Sequence, residues 1–340
     1  MSLRSLAAAG LAAVSLAGCG ATTQLATAPV VNETATQASA VPVSPVVQTQ
    51  PSMEPSASPS TAAAPASQAP AAPAASAQPS TPPGPAVAPT PTSIRLGPLQ
   101  YIRQTLNNCG PASIAEVLRY WGVNRTQDQV QAVTRPDGNS RGMWPFAVPA
   151  YVASVGMDSL MGIGGSPTIV KALVANGFPV IVAQAVSAQD RTAHYREIEG
   201  FDDNRQVFVS TDSYLGPNHE ISYSEFDQIW ARGNQRFMVI YPPDKQPLLN
   251  AVMRSVGWDK TAAYQADLLR MENPPSRPPD QQQPGQPGPQ FRGSSELAKA
   301  WDHIQLGQLD TARAEIAQAK TQGANGWMVD ALTNALTLPL

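Results

Sequence analysis

Between Arg4 and Arg95 the chain carries only two charged residues, Glu33 and Glu54, and 14 of its 34 prolines fall within 41–92. Nothing else in the sequence limits the fold so much. From Gly20 to Ser93 the residues are mostly Ala, Pro, Ser, Thr, Val and Gln, with no aromatic side chain and no apolar period. Such a stretch buries too little surface to offset the entropy of ordering it. We expect a disordered, partly polyproline-like tether over 19–93. Folding is then confined to about 245 residues, ample for a sizeable core.

Ahead of the tether the chain reads MSLRSLAAAGLAAVSLAGC, with one basic residue, Arg4, before an apolar stretch from Leu6 to Leu16. That is short for a membrane span of ~20 residues and has the layout of a signal peptide over 1–18. Its end, Leu16-Ala17-Gly18-Cys19, resembles the bacterial lipobox. The resemblance implies an exported chain, lipidated at Cys19 and held at the cell envelope, on its periplasmic or extracellular face, by acyl chains. The alternative is an ordinary signal peptide that happens to contain a cysteine.

The formal net charge is −3. Within 95–245, 13 basic and 14 acidic residues interleave without a run. Nucleic-acid binders need a basic stripe to neutralise phosphates, so no nucleic acid is expected as a partner.

Only two cysteines exist, Cys19 and Cys109. With Cys19 lipidated, Cys109 has no disulfide partner, and a lone thiol on an exported protein needs a reason. It is either a small buried hydrophobe or a nucleophile. Its context favours the second. Pro111 suits a first helical turn, Ile114, Val117, Leu118 and Trp121 share one helical face, and Gly122 suits a C-terminal stop. Cys109 then sits at a helix N-terminus, where unpaired N–H groups and the macrodipole favour a thiolate.

A thiolate nucleophile needs a base, and the chain has three histidines. His303 lies in a separate C-terminal segment, which leaves His194 and His219. The stretch 178–213 reads as three strands, the last two joined at Asp202-Asp203-Asn204 as an antiparallel hairpin. With a three-residue loop at 202–204, His194 faces Asp212 directly across the strands; with a two-residue turn the two fall on opposite faces. His219, in GPNHE, has no such support.

NNCGPAS, then HYREIEGFDD, then TDSY, over about 95–245, resemble the papain-like cysteine peptidases of the C-39-like group, relatives of the bacteriocin-leader (double-glycine) peptidases. The resemblance implies an α+β, papain-like fold, with a helix carrying Cys109 packed on an antiparallel sheet carrying His194 and Asp212. It implies Cys109 as nucleophile, His194 as general base and Asp212 as the residue that orients the ring. Gln104 corresponds to the glutamine whose amide helps form the oxyanion hole, although it lies five residues before the cysteine rather than six. Asn107 or Asn108 is the alternative donor, beside the backbone N–H of Cys109. No GxxxxGK[ST] follows, so the ATP-driven export of the transporter-fused relatives is not encoded here.

Three histidines and one free thiol cannot make a standard zinc site, so neither metal nor cofactor is expected. Gly162-Ile-Gly164-Gly165 reads as a loop before a helix at 167–176, not as a phosphate loop. Trp121, Trp144, Trp230 and Tyr214 are either core or groove aromatics.

Beyond the domain at 94–245 we expect a helical segment at 246–272 and a Pro/Gln-rich linker at 273–292. An all-α hairpin at 293–340 would close the chain. There Leu306-Gly307, Ala312, Ile316 and Ala319 resemble one tetratricopeptide unit. A single unit cannot bury its own face. It must dock on 247–270, on the preceding domain or on a protein partner. The expected activity is peptide-bond hydrolysis of a peptide or protein substrate through a thioacyl intermediate. Acyl transfer to an amine and a non-catalytic peptide-binding module are the alternatives.

Overall fold

The computed structural model describes residues 85–97, 99–137, 142–190, 192–273 and 293–338. The expected signal peptide at 1–18, the lipidation site Cys19 and nearly all of the linker at 273–292 lie outside them, as does the tether up to residue 84. The last stretch assigned to the tether is laid on the folded unit instead. Asn176 Oδ1 accepts the Ala88 N–H at 2.8 Å, the Thr92 carbonyl accepts the Asp203 N–H at 2.8 Å, and Val87 packs against the core.

A seven-stranded sheet organises the described residues. β1 (Ser93–Arg95) precedes three helices, α1 (Cys109–Tyr120), α2 (Gln127–Thr134) and α3 (Val148–Ser154). After β2 (Asp158–Gly162) and α4 (Pro167–Ala175) comes an antiparallel run, β3 (Val180–Ala185), β4 (Ala193–Asp202), β5 (Val207–Asp212) and β6 (Gly216–Ser222). α5 (Tyr223–Ala231) and β7 (Phe237–Tyr241) close the sheet, whose order is β2-β7-β3-β4-β5-β6 with β1 paired to β4. Alternate residues serve opposite faces, as strand geometry requires. Ile181, Met238 and Ile240 join a core with α1 and α3, while Val180, Val182, Val239 and Tyr241 join another with α4 and α5. The fold is α+β, as the sequence implied.

Close packing decides the glycines of the expected loop at 162–165. A Cβ on Gly162 would stand 2.1 Å from the Phe237 ring. Gly162→Ala should therefore cost about 1–3 kcal/mol through overpacking. The shift in denaturation midpoint measures it, and an unchanged midpoint would show that the ring gives way freely.

Past the sheet run α6 (Gln246–Ser255), α7 (Lys260–Glu272), α8 (Ser294–Gln305), α9 (Leu309–Thr321) and α10 (Gly326–Ala335). The hairpin of α8 and α9 turns at Gly307, with φ +72°, and buries Ala312, Ile316 and Ala319 against Leu297, Ala300 and Ile304. α10 is a third helix that the two-helix reading lacked. Docking is intramolecular. The Trp301 ring lies 5.4 Å from Phe146, Asn325 Nδ2 and Trp327 Nε1 each donate to Asp137 Oδ2 at 3.1 Å, and Tyr264 Oη of α7 donates to the Met161 carbonyl at 2.8 Å. The small residues at the helix crossings are spent inside this core, not on a partner.

Candidate active site

α1 begins at Cys109 and is buried from Cys109 to Leu118. Cys109, Ser113 and Glu116 lie at i, i+4 and i+7, one face of a helix. That face meets β4. Cys109 shares a cleft with His194, the Ser113 hydroxyl donates to the Tyr195 carbonyl at 3.3 Å, and Glu116 interacts with Glu197. Burial pushes both carboxyls up; Glu197 raises Glu116 further, whereas the contact with Glu116 works to lower Glu197. Glu116 Oε1 also accepts the Ile102 N–H at 2.5 Å, tying the 99–104 segment to the helix.

His194 is 4% exposed and Asp212 fully buried. Nε2–H of His194 donates to Asp212 Oδ1 at 3.1 Å and Oδ2 at 3.0 Å, which leaves Nδ1 for the thiol. The expected proximity holds, but not by the expected register. The β4–β5 loop spans four residues, 203–206, with Asp202 opposite Val207 rather than a three-residue turn at 202–204. That pairing alone would put His194 and Asp212 on opposite faces. A bulge at Glu199 then shifts the register by one, to Ile198 opposite Ser210 and Glu197 opposite Thr211. Continued, this register sets Arg196 opposite Asp212 and His194 one diagonal step away on the same face.

Arg196 is the residue that sequence reading missed. It is 1% exposed, and its Nε lies 2.8 Å from Asp212 Oδ2. Nη2 donates to the Val186 carbonyl at 2.9 Å, and the Gln184 amide oxygen, turned toward the guanidinium, accepts from Nη1 at 2.9 Å and Nε at 2.8 Å. Asp212 Oδ1 accepts two more donors, the Tyr214 and Leu215 N–H groups, each at 2.8 Å. Its place two residues after His194, on the same face of β4 and opposite Asp212 once the bulge is known, was the available signal for Arg196.

The electrostatics follow from these contacts. Burial works against a charged Cys109, yet the hydrogen bond and attraction of His194, with backbone groups of Tyr195 and Gly110, bring the thiol below its ordinary range. Burial likewise opposes imidazolium, but Asp212 and Cys109 outweigh it and His194 is pushed up to about 9. Asp212, buried but bonded to His194 and beside Arg196, is held well below the usual carboxylate range. A lowered thiol beside a raised imidazole favours a thiolate–imidazolium pair.

A cleft of about 340 Å³ opens over Cys109 and His194, lined also by Gln104, Asn107 and Tyr214. The Gln104 N–H donates to the Ser213 carbonyl at 2.9 Å, and the Ser213 hydroxyl donates to Gln104 Oε1 at 3.0 Å. The carboxamide is thereby oriented with Nε2–H₂ as its remaining donor group. Asn108 does not serve the cleft: its Nδ2 donates to Thr105 and Gln131, and its Oδ1 accepts from Arg135. His219, on β6 opposite Ser210, stands apart from the thiol, and His303 pairs with Gln308 and Glu315 on the C-terminal helices. Of the four aromatic residues singled out, Tyr214 lines the cleft at 54% exposure, with its ring 6.4 Å from His194. Trp230 is buried, and Trp121 and Trp144 pack on the core.

Residues 98–237 match the model of the Peptidase C39 like family. No curated protein matches the chain. Among solved structures, a double glycine motif protease from an AMS/PCAT transporter, crystallised with its leader peptide, is 22% identical; the match covers 44% of this chain and 94% of that one, with a TM-score of 0.33. The peptidase domain of Streptococcus ComA, a bi-functional ABC transporter of a quorum sensing pathway, is 15% identical over 42% and 96% of the two chains, with a TM-score of 0.35. A Bacillus anthracis protein described as a C39-like peptidase is 12% identical over 44% and 96%, with a TM-score of 0.38. The family likeness is thus confined to residues 98–237 of the chain's 340, the part that carries the site.

Proposed function

We propose that the chain is a cysteine peptidase in which Cys109 attacks, His194 transfers protons and Asp212 orients the ring. The observation that carries this reading is the buried thiol at a helix N-terminus, in one cleft with an imidazole whose Nε2 is held by a buried carboxylate. Cys109 Sγ, as thiolate, adds to the peptide carbonyl carbon. The developing oxyanion is received by the Cys109 N–H and Gln104 Nε2. Nδ1–H of His194 gives its proton to the leaving amine as the C–N bond breaks, leaving a thioester. The neutral ring then takes a proton from water, whose hydroxide releases the acid and restores the thiolate.

The substrate is a peptide or protein whose chain runs past Tyr214 in the open cleft. The motif Leu16-Ala17-Gly18-Cys19 supports export and lipid anchoring through Cys19, with the Pro-rich segment as the reach between membrane and domain.

Alkylation of Cys109 by iodoacetamide across pH tests the ion pair directly. The thiol should titrate below the reference ~8.5. His194→Ala should raise that midpoint and His219→Ala should leave it in place. A midpoint near the reference, indifferent to both substitutions, would point to a peptide-binding module without catalysis.

A further inference from the structure

A second cavity, of about 450 Å³, lies at the seam where the family domain meets the C-terminal helices. Its volume is within the ~300–1,000 Å³ of small-molecule sites. Edge strand β2 forms one wall with Asp158 to Met161, and Leu249, Trp301 and Ile304 supply an apolar wall from α6 and α8. Two opposite charges face this space, Asp158 from β2 and Lys260 from the first turn of α7. Both are half-buried, and among the described residues neither forms an ion pair, with the other or with any third group. Burial pushes the Lys260 ammonium down, with no neighbouring carboxylate to hold it up.

Half-buried charges are normally paired, because desolvation otherwise goes uncompensated. Two unpaired charges of opposite sign in one partly apolar cavity call for a ligand that carries both signs and an apolar middle. We propose that this cavity binds a short zwitterionic peptide with apolar side chains, its terminal carboxylate at Lys260 and its terminal ammonium at Asp158. The N-terminal dipole of the 13-residue α7 favours the same end for the carboxylate. A cavity of about 450 Å³ has room for a ligand longer than one free amino acid. Because the walls come from both the family domain and the appended helices, occupancy holds the two together.

The test uses the full chain carrying Cys109→Ala, so that no probe is hydrolysed, and reads trileucine binding by calorimetry. Trileucine should bind saturably. Acetylating its N-terminus or amidating its C-terminus should each weaken binding by about ten- to a hundredfold, the loss of one charge-assisted hydrogen bond. Lys260→Met should cause the same loss and make amidation silent, and Asp158→Asn should do so for acetylation. The proposal is overturned by an absence of binding to a cooperatively melting chain, by equal binding of leucine, or by binding that both variants leave intact. Binding lost in Tyr214→Ala but kept in Lys260→Met would assign it to the Cys109 cleft and also overturn it.

Discussion

Cys109→Ala or His194→Ala should lower peptide hydrolysis by about four orders of magnitude, and the double variant should be scarcely worse than either. On the proposed mechanism the two side chains act as one unit, since the imidazolium that stabilises the thiolate is the same group that protonates the leaving amine. Either loss removes the whole step, and only cleft binding and the oxyanion donors remain. The wild-type pH profile carries a second signature. On the proposed mechanism the active form is Cys109 thiolate with His194 protonated, so activity should appear as the lowered thiol ionises and fall as His194 deprotonates at about 9. Initial rates on a peptide library across pH measure both. Losses that simply add in the double variant would contradict a shared step, and an alkaline limb near the ordinary histidine value of 6.5 would contradict the Asp212 contact.

Arg196→Met should destabilise the fold by about 3–5 kcal/mol, because it leaves the buried Asp212 carboxylate without its guanidinium. Both side chains are essentially solvent-free, at 1% and 0%, so solvent does not screen the pair. The midpoint of guanidinium denaturation at constant slope measures the change. A loss within the ~0–1 kcal/mol typical of exposed pairs would mean that water reaches Asp212. The pH dependence has two limbs of opposite sign. Asp212 is depressed in the folded state, so its contribution is present above the unfolded carboxylate value and is lost on acidification. His194 is raised, so its contribution is complete below 6.5 and is lost as pH climbs through about 9.

Helix α1 and the strands β3, β4 and β5 were legible because their apolar spacing and turn residues agree with the final packing. The triad candidates were legible too, as residue types in order along the chain. What escaped was set by one residue. The Glu199 bulge is anchored by non-local partners: its backbone carbonyl accepts the Leu96 N–H, and its side chain accepts from Arg95 and Thr211. No local pattern announces such a bulge, so the His194–Asp212 pairing was reached from an incorrect register, and Arg196 went unassigned. Strand β2 and helix α10 were missed for a related reason. Short elements of five and ten residues take their stability from β7, from Phe146 and from Asp137, all distant in sequence. Asn108 was an alternative to Gln104 as the amide donor, and its inward hydrogen bonds, invisible in the sequence, remove it from the cleft.

Trp301 and Phe146 bring a last consequence. The stretch recognisable by descent ends at residue 237, but the apolar core containing Phe146 is completed by side chains beyond residue 290. The limit of family likeness and the limit of cooperative unfolding are therefore different places in this chain. A cut after β7 would preserve every candidate catalytic side chain yet uncover one wall of the core that supports α1. For this protein the appended helices belong to the same melting event as the thiol they never touch.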